Sequence, residues 1–162
     1  MKKPAWLEIA ESYIGTTEFK GIRHNPIIVG FWKLIKRGGI KDDETPWCAA
    51  FVGGCLEQAG IVSSRFESAA SYLHWGAEVR RPLLGCVAVV SRPGGNHTFF
   101  VVGISSDGRR VIGLGGNQSD KVRYSLFDIA TVKGFRWPEI LPLGEPAPVV
   151  NPALFLNETK MD

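Results

Sequence analysis

The chain changes its periodicity at about its midpoint, and that change restricts the fold more than any single residue. Up to residue 76 the apolar residues recur at helical spacing. Pro4 to Ile14 is amphipathic and runs into Gly15, a natural helix stop. Asn25-Pro26 is a cap followed by a first-turn proline, and it opens an apolar run that Gly38-Gly39 ends. Thr45-Pro46 repeats the signature and opens a helix to about Ala59, with a shorter one from Ser68 to Trp75. Beyond that, short runs rich in valine, isoleucine and phenylalanine alternate with turn signals. Cys86–Val90, Thr98–Ile104 and Arg110–Leu114 read as strands, and Val122–Leu126 and Val132–Trp137 as two more. Helices followed by an antiparallel meander predict an α+β domain with its N-terminal helices on one side of the sheet. The domain is expected over residues 1–140. The proline-containing stretch 141–162 reads as a tail.

The remaining bulk properties mostly exclude. At 162 residues the chain suits one domain with a real core. Its net charge of +3 favours an anionic polymer but does not argue for nucleic acid, because the basic residues are scattered. Three cysteines without a CxxC pair fit neither a disulfide framework nor a zinc site nor a thiol-redox motif. No stretch is apolar enough to span a membrane, and Lys2-Lys3 is not followed by a signal-peptide core. The expectation is a protein made in the cytoplasm without a signal peptide, monomeric, with no cofactor, no metal and no membrane anchor. A substrate outside the cytoplasm would then require delivery by another system.

Within this frame Cys48 stands out. Thr45 as N-cap and Pro46 at the first position put it in the first turn of its helix. Unpaired N–H groups and the helix dipole there favour thiolate over thiol. Cys55 and Cys86 lie within apolar runs and read as inert core thiols. A nucleophilic thiol needs a base, and the base needs a third group to hold it. His24 precedes a helix cap and reads as a surface residue, and His74 sits beside Trp75 on the short helix. His97 opens the most apolar strand, where a polar ring needs a reason. If the next turn centres on Asp107-Gly108, facing residues have numbers summing to 215 and His97 meets Gln118. A three-residue turn makes the sum 214, and His97 meets Asn117. Either amide can fix the tautomer of the ring.

The runs Asp42-Asp43-Glu44-Thr45-Pro46-Trp47-Cys48-Ala49-Ala50-Phe51, Asn96-His97 and Leu114-Gly115-Gly116-Asn117-Gln118-Ser119 resemble small phage and prophage cell-wall lysins. These are akin to the CHAP (cysteine, histidine-dependent amidohydrolase/peptidase) and NlpC-type peptidases of the papain-like superfamily. The resemblance covers roughly residues 4–138. It implies a papain-like fold and hydrolysis of an amide bond in peptidoglycan, whose stem peptide is the expected partner. It implies Cys48 as nucleophile, His97 as base and Asn117 as orienting residue. Asp43, Glu44, Trp47 and Gln118 are the candidate substrate-binding residues: the acids for an amine of the stem peptide or, alternatively, as complements to the helix start, and Trp47 as a groove wall or, equally, a core residue. Two departures stand out: Gly115 replaces a frequent glutamate, and bulky Phe99 and Phe100 follow the histidine and are expected to narrow the site. The acid run lacks the spacing and glycine of a calcium loop. A secreted antibacterial effector with the same chemistry, or a non-catalytic wall-binding module, are the alternatives. For a lysin, the route to the wall is holin-type release.

Overall fold

The computed structural model describes residues 2–20, 23–43 and 45–155. Three helices come first: α1 (Ala5–Ser12), α2 (Pro26–Leu34) and α3 (Cys48–Gln58). Asn25 caps α2 by accepting the N–H of Ile27 at 2.9 Å. The short helix expected near 68–75 is a 3-10 turn over Ala69–His74, capped by Ser68. The strands are β1 (Ala77–Val79), β2 (Val87–Arg92), β3 (Gly95–Ile104), β4 (Arg110–Gln118), β5 (Lys121–Asp128) and β6 (Val132–Trp137). They form one antiparallel sheet in the order β1-β6-β2-β3-β4-β5. Only β2 to β5 is a meander. β6 returns to the far side of β2, and the three-residue β1, which the sequence reading missed, pairs beyond it.

α3 is the centre of the helical layer. Every residue from Cys48 to Leu56 is buried, as an apolar helix with little amphipathic bias requires. It lies on β3 and β4 and against α1 and α2. Phe51 meets Phe100 of β3, and a side chain at Gly116 of β4 would collide with Trp47 and Phe51. By strand alternation, Thr98, Phe100 and Gly116 face α3, whereas His97, Phe99, Gly113 and Gly115 face away.

That second face is buried too. The Phe99 and Phe127 rings stack 4.1 Å apart, and Phe99 lies on Gly113, where a Cβ would strike its ring. The turn Ile129–Thr131 between β5 and β6 packs against β2, and the residues of this face belong to the same core cluster as those under α3. Phe99 and Phe100 are both fully buried, so neither narrows a site as expected. The stretch read as a tail is bonded to the domain as far as Val150. Leu84 N–H donates to Glu145, Ala147 N–H to Pro82, and Val150 N–H to Ile104. Among the described residues no helix is long and apolar enough to cross a membrane.

Candidate functional site

Helix α3 starts at Cys48 itself. Trp47 occupies the cap position without a side-chain cap, so the expected Thr45 cap and Pro46 first turn are corrected. Thr45 is instead held by Asp42, whose carboxylate accepts both its N–H (2.7 Å) and its hydroxyl (3.1 Å). The thiol is nearly covered, at 6% exposure. The backbone N–H groups of Thr98, Ala49 and Cys48 and the charge of Arg92 favour the thiolate. Burial nonetheless outweighs these groups and holds the thiol above its ordinary value. The helix start supplies the expected pull toward thiolate, but loss of water is the larger effect.

Thr98 is the residue after His97, but adjacent side chains of a strand take opposite faces, so the candidate base lies on the side of β3 away from α3. The His97 ring is completely buried. It stacks on Phe127 (centroids 5.6 Å apart) and lies 6.0 Å from Phe99. Its Nε2 meets Oε1 of Gln118 at 2.9 Å. The amide nitrogen of Gln118 donates to the carbonyls of Arg123 (2.6 Å) and Gly113 (3.4 Å). That fixes the oxygen toward the ring. An oxygen can only accept, so Nε2 carries the proton and Nδ1 holds the lone pair. Nδ1 is buried and has no hydrogen-bond partner. Burial, together with the positive charge of Arg92, pulls the ring's pKa down to about 3 against the smaller opposing effect of Gln118. At neutral pH the thiol and the imidazole are thus both neutral, on opposite faces of β3, and the ring has one free basic nitrogen. Chemically, that imidazole can take a proton only as a bond forms at sulfur.

The residue that touches the ring is therefore Gln118, not Asn117. The pairs Phe100–Leu114 and Val101–Gly113 sum to 214, which nominally sets Asn117 opposite His97. A bulge between Gly115 and Gln118 then adds one residue to β4. Asn117 absorbs it in the left-handed region (φ 59°), and the flip in alternation turns Gln118 onto the His97 face. Gly115 leaves the space, since a Cβ there would meet Oε1 of Gln118. Gln118 is fully buried, which removes it from the substrate-binding set.

Two other candidates are structural. Trp47 is buried, lies 6.4 Å from the Phe31 ring in a stacked arrangement, and donates its indole N–H to Glu18 at 2.7 Å. It is part of the core, not a groove wall. Asp43 is also fully buried. Its oxygens accept the N–H groups of Phe19 (2.7 Å) and Asn25 (2.8 Å) and contact His24 Nδ1 at 3.1 Å. It pins the loop ahead of α2 and has no oxygen to spare for a substrate amine. Glu44 lies outside the described residues. Among the described residues no group of three or more His, Cys, Asp and Glu could hold a metal ion.

Burial raises the Asp43 pKa, but the N–H groups of Asn25 and Phe19 and the His24 contact more than offset this and lower it below 3.8. A depressed carboxylate stabilises the fold above its unfolded value, and that stabilisation is lost as pH falls through the folded value. Asp43→Ala is expected to cost about 3 kcal/mol at neutral pH, because it strands buried donors. In denaturant titrations the gap between wild type and variant should close once pH drops well below 3.8. An equal gap at both pH values would contradict this role.

No protein-family model, curated protein or solved structure matches the chain.

Proposed function

We propose that the protein is a papain-like cysteine hydrolase that cleaves an amide bond of bacterial peptidoglycan, as an amidase or endopeptidase. The observation that carries the reading is the Cys48–His97–Gln118 arrangement. The thiol sits at a helix start, and the imidazole of His97, on the opposite face of the adjoining strand, is oriented through Nε2 with its Nδ1 unpaired. An unpaired buried nitrogen costs about 1–3 kcal/mol, and His97 Nδ1 is one of several such buried polar atoms among the described residues. The resemblance of the Trp47–Phe51 and Leu114–Ser119 runs to cell-wall lysins supports the choice of polymer.

In this mechanism His97 Nδ1, which must be reached from the α3 face of β3, takes the thiol proton as Cys48 Sγ bonds to the substrate carbonyl carbon. The N–H groups at the start of α3, which lack intrahelical partners, hold the oxyanion. The C–N bond breaks as Nδ1 passes its proton to the leaving amine. Water, deprotonated by the same nitrogen, then splits the thioester and restores the thiol. Gln118 keeps the proton on Nε2 throughout.

Purified peptidoglycan digested with the full chain and analysed by mass spectrometry tests the reading. The expected products carry new amine ends paired with new carboxyl ends, or lactyl ends freed of peptide. One observation favours a second reading, a non-catalytic wall-binding module: Cys48 and His97 are both buried, at 6% and 0% exposure. Sedimentation of the protein with intact wall and no new ends would assign it to that class.

A further inference from the structure

We propose that Arg92 is a specificity residue that selects substrates carrying a carboxylate beside the scissile amide. The inference rests on the hydrolase reading above and adds the chemical class of substrate that the site prefers.

Arg92 ends β2 at a two-residue turn, Pro93-Gly94, and pairs with Gly95. Val90 pairs with His97. Residues 90 and 92 share a face, so Arg92 rises on the His97 face as its diagonal neighbour, with Cβ atoms on the order of 7 Å apart. The position facing Arg92 has no side chain, and a Cβ built on Gly95 would meet nothing within 4 Å. Open space therefore lies across the strand pair from Arg92. Its positive charge also acts on the His97 ring and, more weakly than burial, on the Cys48 thiol.

Arg92 is half-buried, and among the described residues it forms no ion pair and no side-chain hydrogen bond. Arg37 and Arg65, by contrast, each have a glutamate. A guanidinium on the face of the candidate base, with no acid of its own, matches an external anion. Its planar fork suits a carboxylate in two-pronged contact. The unpaired charge also works against imidazolium formation in the empty site. A bound carboxylate would offset it at the moment His97 takes the thiol proton.

The experiment uses the full chain and two synthetic stem peptides, one with its carboxylates free and one with them converted to carboxamides. The free-acid peptide is expected to show the higher kcat/KM by about tenfold or more. Arg92→Gln should bring the ratio of the two toward unity, and Arg92→Lys should keep part of it. Equal cleavage of both peptides by wild type, or an unchanged ratio in Arg92→Gln, overturns the inference and leaves the hydrolase standing. Cleavage of neither peptide, with no release of ends from whole peptidoglycan, overturns the hydrolase reading and this inference with it.

Discussion

Cys48→Ala is expected to abolish the release of new ends from peptidoglycan, with a fall in kcat of about 10⁴-fold or more. The fold should survive, since trading a buried thiol for a methyl costs about 1 kcal/mol. Cys55→Ala is the matched control. Cys55 is equally buried on the same helix, and burial alone sets its thiol, well above the ordinary range. Its replacement should leave the rate intact. The pH profile of the wild-type rate adds a second readout. His97 must be neutral to accept the thiol proton, and burial with the Arg92 charge keeps it neutral down to about 3. The acid limb of kcat/KM should therefore lie far below 6.5, the usual histidine value. A limb near 6.5, or clearing by Cys48→Ala, would remove His97 or Cys48 from the chemistry.

The parts of this site that rest on local pattern were legible in the sequence. An apolar run with a polar residue at its mouth marked β3 and His97, and a helix start marked Cys48. The third residue was not legible, because two irregularities intervene. Near the turn, Ile104–Val111 and Gly103–Ile112 sum to 215, but a shift between Val101 and Gly103 makes the sum 214 deeper in the sheet. The hairpin therefore carries both registers that the sequence allowed. The bulge at Gly116-Asn117 then reverses the side-chain alternation, so the residue nominally opposite His97 is not the one that contacts it. A period-2 argument has no means of counting such insertions.

Asp43 and Trp47 were misread for a related reason. Proximity to a nucleophile in sequence is not proximity to substrate. Asp43 instead serves backbone N–H groups of Phe19 and Asn25, long-range partners that no local spacing reveals. Trp47 fills the space that Gly116 leaves open. The fold class followed from helices preceding strands. The return of β6 beside β2 did not, since strand order in a sheet is a tertiary choice.

Gln118→Leu is expected to lower kcat by about 10³–10⁴-fold, the scale seen when a catalytic imidazole loses its correct tautomer. The replacement is close in size and apolar, in a fully buried position, so the chain should fold. The carbonyls of Gly113 and Arg123 lose a donor, at a cost of about 1–3 kcal/mol in stability. A loss of stability alone would not move the proton, so the decisive readout is nitrogen NMR of the His97 ring. Wild type should show the proton on Nε2, and the variant a mixture of tautomers. Gly115→Ala approaches the same end by another route, because its methyl would press on Oε1 of Gln118 and turn the amide from the ring. Its rate should fall between wild type and Gln118→Leu. Asn117→Gly is the contrast. Asn117 sits at φ 59°, where glycine is at least as comfortable, and its side chain makes no contact with the ring. Its rate should stay near that of wild type. If Asn117→Gly proves the damaging change and Gln118→Leu the harmless one, the bulge does not present Gln118 to His97 in the working enzyme, and the orienting role returns to Asn117.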